Sequence, residues 1–131
     1  MKILVVDDEK DVISLFRQRF RRELRTGSIA LAFAGSGEAA LHQLSGQTDA
    51  EIILILSDIN MPGMNGLELL RMLKTSHPQR PVVMVTAYDN AENRRIAARY
   101  AADGYLTKPL DFDRLRELIA HLTAVGLNVD H

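Results

Sequence analysis

Three aspartates, one threonine and one lysine each stand where a short apolar run ends. Asp7 and Asp8 follow Ile3-Leu4-Val5-Val6, and Asp58 closes the run over 52–56 after a single serine. Thr86 ends Val82-Val83-Met84-Val85, and Lys108 follows Gly104-Tyr105-Leu106-Thr107. An ionised carboxylate does not belong inside an apolar strand, because burying it unpaired costs far more than one strand residue contributes. Asp58 must therefore sit where its strand emerges, and it is the first candidate for chemistry. If the strands lie in parallel in one sheet, their carboxyl ends share a rim, where open α/β sheets bind ligands. Two carboxylates about 4 Å apart repel by roughly 4 kcal/mol at an effective dielectric near 20. A divalent cation among the three removes that conflict. Carboxylate and carbonyl oxygens suit Mg2+, which keeps waters and takes phosphate oxygens. Lys108 adds a point charge and Thr86 a hydrogen bond for a phosphoryl oxygen. These residue types point to Mg2+-dependent phosphoryl chemistry with one aspartate as acceptor.

The elements that must position these residues follow from the apolar pattern. Unbroken apolar runs, rich in β-branched residues, fit strands covered on both faces. Between the runs, apolar residues take helical spacing. Val12, Ile13, Phe16, Phe20 and Leu24 predict one helix of about four turns, with Gly27 as its stop. Residues 28–34 alternate as a strand, Gly35-Ser36-Gly37 turns the chain, and Ala39 to Leu44 suggests a short helix. A polar loop over 46–51 leads to the strand 52–56. The turn-rich stretch 60–66 precedes a helix ending before Pro78. Residues 89–102 predict a helix with thin apolar content, and 111–125 a clean amphipathic helix capped by Asp111 and stopped by Gly126. Strand and helix alternate five times, which implies a doubly wound five-stranded parallel sheet with five helices in three α/β/α layers. A domain over 1–126 with a flexible tail at 127–131 is expected.

Composition bounds the answer without naming it. The 131 residues make one domain, 47% hydrophobic and 25% charged, with net charge −1 and no cysteine. That balance gives no general pull toward nucleic acid or anionic membrane, and rules out disulfide and thiolate chemistry. No apolar run approaches the roughly 20 residues of a membrane span. A cytoplasmic protein is expected.

Four segments together resemble the receiver domains of two-component response regulators: ILVVDDE (3–9), SDINMPGMNG (57–66), VMVTA (83–87) and DGYLTKP (103–109). The resemblance covers nearly the whole chain, in order, and implies the flavodoxin-like fold. It also implies a role for each rim residue. Asp58 matches the aspartate that takes a phosphoryl group from a sensor histidine kinase or a phosphotransfer protein. Asp8 matches a direct Mg2+ ligand, Asp7 an acid holding a metal-bound water, and Asn60 the position whose backbone carbonyl completes the metal site. Lys108 matches the lysine that contacts phosphoryl oxygens and precedes a cis peptide to Pro109. Thr86 matches the hydroxyl that moves toward the phosphoryl group, and Tyr105 the aromatic that turns inward with it. The domain would then be a switch rather than an enzyme, limited to its own phosphorylation and dephosphorylation. It would signal to an output partner through the helix 89–102, the strand of Tyr105 and the helix 111–125. Direct DNA binding and membrane contact are not expected, and a homodimer stays open. Two features depart from the family: extra residues around Arg22 to Ser28, and Ala101 where glycine is common. Tyr88 and Asn60, two residues past Thr86 and Asp58, match positions that influence phosphoryl hydrolysis, and a bulky Tyr88 would shield the site from water.

Two rival chemistries match parts of the sequence. A Mg2+-dependent phosphatase with an aspartate nucleophile wants Asp-x-Asp after the first strand, whereas this chain has Asp7-Asp8-Glu9. Gly35-Ser36-Gly37-Glu38-Ala39-Ala40 has the form of a dinucleotide fingerprint, with Asp58 about 20 residues on. It leaves Asp7, Asp8, Thr86 and Lys108 unexplained, and a glycine turn with Ser36 as N-cap is the simpler account. Arg17, Arg19, Arg21, Arg22 and Arg25 read as a solvated helix face or a contact for an acidic partner. Arg94, Arg95 and Arg99 are better placed for partner contacts. The four histidines show no metal spacing.

Overall fold

The computed structural model of the chain describes residues 1–45 and 54–129, with side-chain surroundings described to Thr123. The elements in order are β1 (Lys2–Val6), α1 (Asp11–Arg19), α2 (Arg21–Thr26), β2 (Ala30–Ala34), α3 (Gly37–Ser45), β3 (Leu54–Asp58), α4 (Gly66–Ser76), β4 (Val82–Thr86), α5 (Ala91–Arg99), β5 (Gly104–Thr107) and α6 (Phe112–Val129). The predicted polar loop 46–51 and the first two residues of the central run lie outside the described residues.

All five strands are parallel, in the order β2-β1-β3-β4-β5. Because strand side chains alternate, each strand feeds both faces of the sheet. Leu4, Val6, Ile55, Val82 and Met84 pack against Ala40, Leu69, Leu70, Leu73 and Ala97 of α3, α4 and α5. Ile3, Val5, Leu54, Leu56, Val83 and Val85 pack against Phe16 of α1 and Leu115 and Ile119 of α6. The result is the expected three-layer, doubly wound α/β/α sandwich.

Among the described residues there are six helices where five were expected. The helix predicted over Val12 to Leu24 breaks at Phe20, whose backbone leaves the helical region (φ −102°, ψ 21°). Phe20 is fully buried, with its ring 6.0 Å from Phe16 and 5.7 Å from Phe112. Seating it between α1 and α6 turns the chain inward, so the arginine-rich segment restarts as the separate helix α2. Gly27 ends α2 in the left-handed conformation (φ 81°), as expected of a helix-stopping glycine. Gly126 does not end α6, which continues to Val129; glycine inside a helix costs only about 1 kcal/mol against alanine.

Ala101 follows α5 with φ 62°. An L-residue held there carries roughly 1–2 kcal/mol of strain, so the departure from glycine has a structural consequence. Ala101→Gly is expected to stabilise the fold by about 0.5–1 kcal/mol, after glycine's larger loss of chain entropy is deducted. Thermal unfolding should show a rise of about 3 °C, and no rise would contradict the strain.

Candidate phosphoryl and metal site

The parallel order places the predicted residues on one rim. Val6↔Ser57 and Asp58↔Val85 are register partners, and Thr86 pairs with Thr107 immediately before Lys108. Asp7, Asp58, Thr86 and Lys108 are thus brought to neighbouring strand ends despite lying up to 101 residues apart.

Lys108 is the centre of the charge arrangement. Its Nζ lies 3.0 Å from Asp7 Oδ2 and 3.3 Å from Asp58 Oδ2. Asp7 Oδ1 accepts from the Glu9 amide at 2.9 Å, and Asp58 Oδ1 from the Asn60 amide at 3.4 Å. Carboxylate oxygens of Asp7, Asp8 and Asp58 all come within 4.8 Å of one another. Burial first, and the charge of Asp7 second, push the Asp58 carboxyl above the usual carboxylate range, against the pull of Lys108. Burial disfavours the charge on Lys108, but hydrogen bonding to Asp7 and the charges of Asp58 and Asp7 outweigh it and hold its pKa up. One lysine therefore serves two acids and leaves a third beside them. This all-oxygen, carboxylate-rich set fits a hard divalent cation, which would relieve the crowding that raises Asp58.

Thr86 is fully buried. Its hydroxyl accepts from the Tyr88 amide at 2.9 Å and from Asn60 Nδ2 at 3.4 Å, and donates to the Tyr88 carbonyl at 3.2 Å. The hydroxyl is thus engaged by its own loop. Tyr105 sits one strand over with its hydroxyl buried and, among the described residues, without a close hydrogen-bond partner. The Lys108–Pro109 peptide is cis.

Two glycines hold the site loops closely. A Cβ on Gly66 would stand 2.1 Å from the Asp58 carbonyl oxygen, and the Gly66 amide donates to Ile59 O at 2.8 Å. A Cβ on Gly37 would meet Met64 Sδ at 2.9 Å. Beside it, Glu38 accepts from the Met64 amide at 2.9 Å, tying the loop after β3 to the start of α3. Sequence reasoning saw Gly66 only as a turn residue and gave Glu38 no role. A carboxylate facing a glycine-rich loop across two elements leaves no periodic trace. The Gly35-Ser36-Gly37 turn is a helix start, with Ser36 Oγ accepting from the Ala39 amide at 3.0 Å. Met64 covers Gly37, so the dinucleotide reading finds no support.

This rim, with one lysine set among three acids, belongs with a wider resemblance. The family described as response regulator receiver domain matches residues 3–120. The chain is a member of that family. Receiver domains are the signalling switches of two-component systems, and the curated relatives agree. The receiver domain is 34% identical over 119 residues to the response regulator protein FleR of Pseudomonas aeruginosa, covering 91% of this chain and 24% of FleR. It is 36% identical over 124 residues to the transcriptional regulatory protein CpxR of Escherichia coli K12, covering 95% of this chain and 48% of CpxR. It therefore spans less than half of the length of either. Among solved structures, the receiver domain protein of Clostridium thermocellum superposes with a TM-score of 0.81 at 26% identity, covering 98% of each chain. The response regulator TrrA of Thermotoga maritima, solved in complex with Mg2+-BeF, superposes at 0.75 with 31% identity, covering 92% of this receiver domain and 97% of TrrA.

Proposed function

We propose that this receiver domain accepts a phosphoryl group on Asp58 from the phosphohistidine of a sensor kinase or phosphotransfer protein and passes the change to an output partner. The observation that carries it is the convergence of the Asp58 and Asp7 carboxylates within 3.3 Å of the Lys108 ammonium nitrogen. An oxygen of Asp58 attacks phosphorus, the P–N bond breaks as the P–O bond forms, and the imidazole leaves with the electron pair. Lys108 is placed to follow the phosphoryl oxygens, and Thr86 to bond one of them once it releases Tyr88. Asp7, Asp8, Asp58 and the Asn60 carbonyl would hold Mg2+. When bound, the ion neutralises charge on the transferring group.

Output would use α5, β5 and α6, where Arg95 and Arg99 are exposed on α5 and favour an acidic partner. We expect no direct DNA contact by these residues. No helix among the described residues is long and apolar enough to cross a membrane, and we place the protein in the cytoplasm.

Labelling with a small-molecule phosphodonor and Mg2+ tests the reading, and equal uptake by Asp58→Ala would refute it. Tyr88 gives a further expectation. Its ring is exposed and its backbone is fixed by the Thr86 hydroxyl. Tyr88→Ala should speed loss of the phosphoryl group severalfold by admitting water, measured as the decay of label after the donor is removed. An unchanged decay would remove the shielding role.

A further inference from the structure

A line of contacts leads from Asp58 to the exposed face of α5. The Asn60 amide points at Asp58 Oδ1, and the Asn60 side chain at the Thr86 hydroxyl. That hydroxyl is bonded to both backbone groups of Tyr88, and Asn93 Nδ2 donates to the Tyr88 carbonyl at 3.2 Å. The next residue, Asp89, is held by Arg94 through two parallel hydrogen bonds, Nε to Oδ1 at 2.7 Å and Nη2 to Oδ2 at 2.8 Å. The same guanidinium lies 4.6 Å from the centroid of the Tyr105 ring. Arg94 thus joins the loop after β4 to β5.

Only a planar guanidinium can fork on a carboxylate and stack on a ring at once. The Tyr105 hydroxyl is buried without a close hydrogen-bond partner among the described residues, a costly state for a polar group. Asp89 faces the phenol, and burial first and the Asp89 charge second raise its pKa, against the pull of Arg94. The ring is held here by packing against the core and by the Arg94 guanidinium across its face. Bonding an oxygen on Asp58 requires the Thr86 hydroxyl to release Tyr88, which shifts the loop carrying Asp89.

We propose that Arg94 is a positioning residue that fastens the loop after β4 to Tyr105 and so opposes occupation of Asp58 by a phosphoryl group. The proposal rests on Asp58 being the acceptor. By linkage, whatever the bound group must disrupt weakens its binding, and removing the fastening strengthens it. An exposed ion pair and an exposed cation–π contact together correspond to about fivefold.

The test is titration of the full chain with beryllium fluoride and Mg2+, read by calorimetry and by NMR of the tyrosine rings. Arg94→Ala should bind about fivefold more tightly than wild type, with the Tyr105 ring signals displaced before any ligand is added. Arg94→Lys, which keeps the charge but loses the fork and the stack, should follow it. Arg95→Ala, one residue along the same helix, should match wild type. Unchanged or weaker binding by Arg94→Ala, wild-type affinity in Arg94→Lys, or equal tightening in Arg95→Ala would overturn the role of Arg94. A wild type that takes up no beryllium fluoride would instead remove the reading of Asp58, and this inference with it.

Discussion

Gly66→Ala is expected to destabilise the domain by about 3 kcal/mol or more, and to lower its melting temperature by roughly 10 °C. The added Cβ would stand 2.1 Å from Asp58 O, 2.8 Å from Ile59 Cα and 2.9 Å from Asp58 C. All three are backbone atoms, so no side chain can turn away, and a close-packed interior transmits the displacement. Either α4 moves off the sheet or the end of β3 moves, taking Asp58 with it. Mg2+-dependent stabilisation should shrink along with the melting temperature. A Gly66→Ala variant that melts like wild type would show that α4 and β3 do not approach this closely.

Asp58→Asn should abolish phosphoryl uptake while making the metal-free protein more stable, by about 2 kcal/mol at neutral pH. The gain comes from removing a buried charge that shares one lysine with Asp7 and crowds both Asp7 and Asp8. The sign with pH follows from the raised pKa of Asp58. A carboxyl whose folded pKa lies above its unfolded value binds its proton more tightly in the folded state, so ionisation weakens the fold at pH above the folded pKa. That penalty fades as pH falls through the folded pKa and the group becomes neutral. The advantage of Asp58→Asn should therefore be full at neutral pH and close toward zero in acid. Adding Mg2+ should stabilise wild type and do less for the variant. Denaturant unfolding at two pH values, with and without Mg2+, checks all three, and an asparagine variant less stable at neutral pH would contradict the crowded site.

Much of this arrangement was legible before the fold. Strands buried on both faces read as unbroken apolar runs, so β3 and β4 end where Asp58 and Thr86 predicted, and the short edge strand β5 ends just before Lys108. Parallel order then required those residues to share a rim. The break at Phe20 was not legible, because it is imposed by Phe112, which lies far along the chain and has no local signature. Helical spacing alone continues straight through that position. The strain at Ala101 was likewise hidden in its φ, although its standing where the family commonly has glycine pointed to it. Arg94 read as a partner-facing arginine, since the sequence carries no sign that Asp89 and Tyr105 lie on either side of it.

The central claim is that Asp58, among three acids on one rim, is the acceptor. Peptide mapping by mass spectrometry after treatment with a small-molecule phosphodonor and Mg2+ tests it most directly. The account predicts one added phosphoryl group, confined to the peptide containing Asp58, absent without Mg2+ and absent from Asp58→Asn. Label on the peptide containing Asp7 and Asp8, or undiminished label in Asp58→Asn, would contradict it.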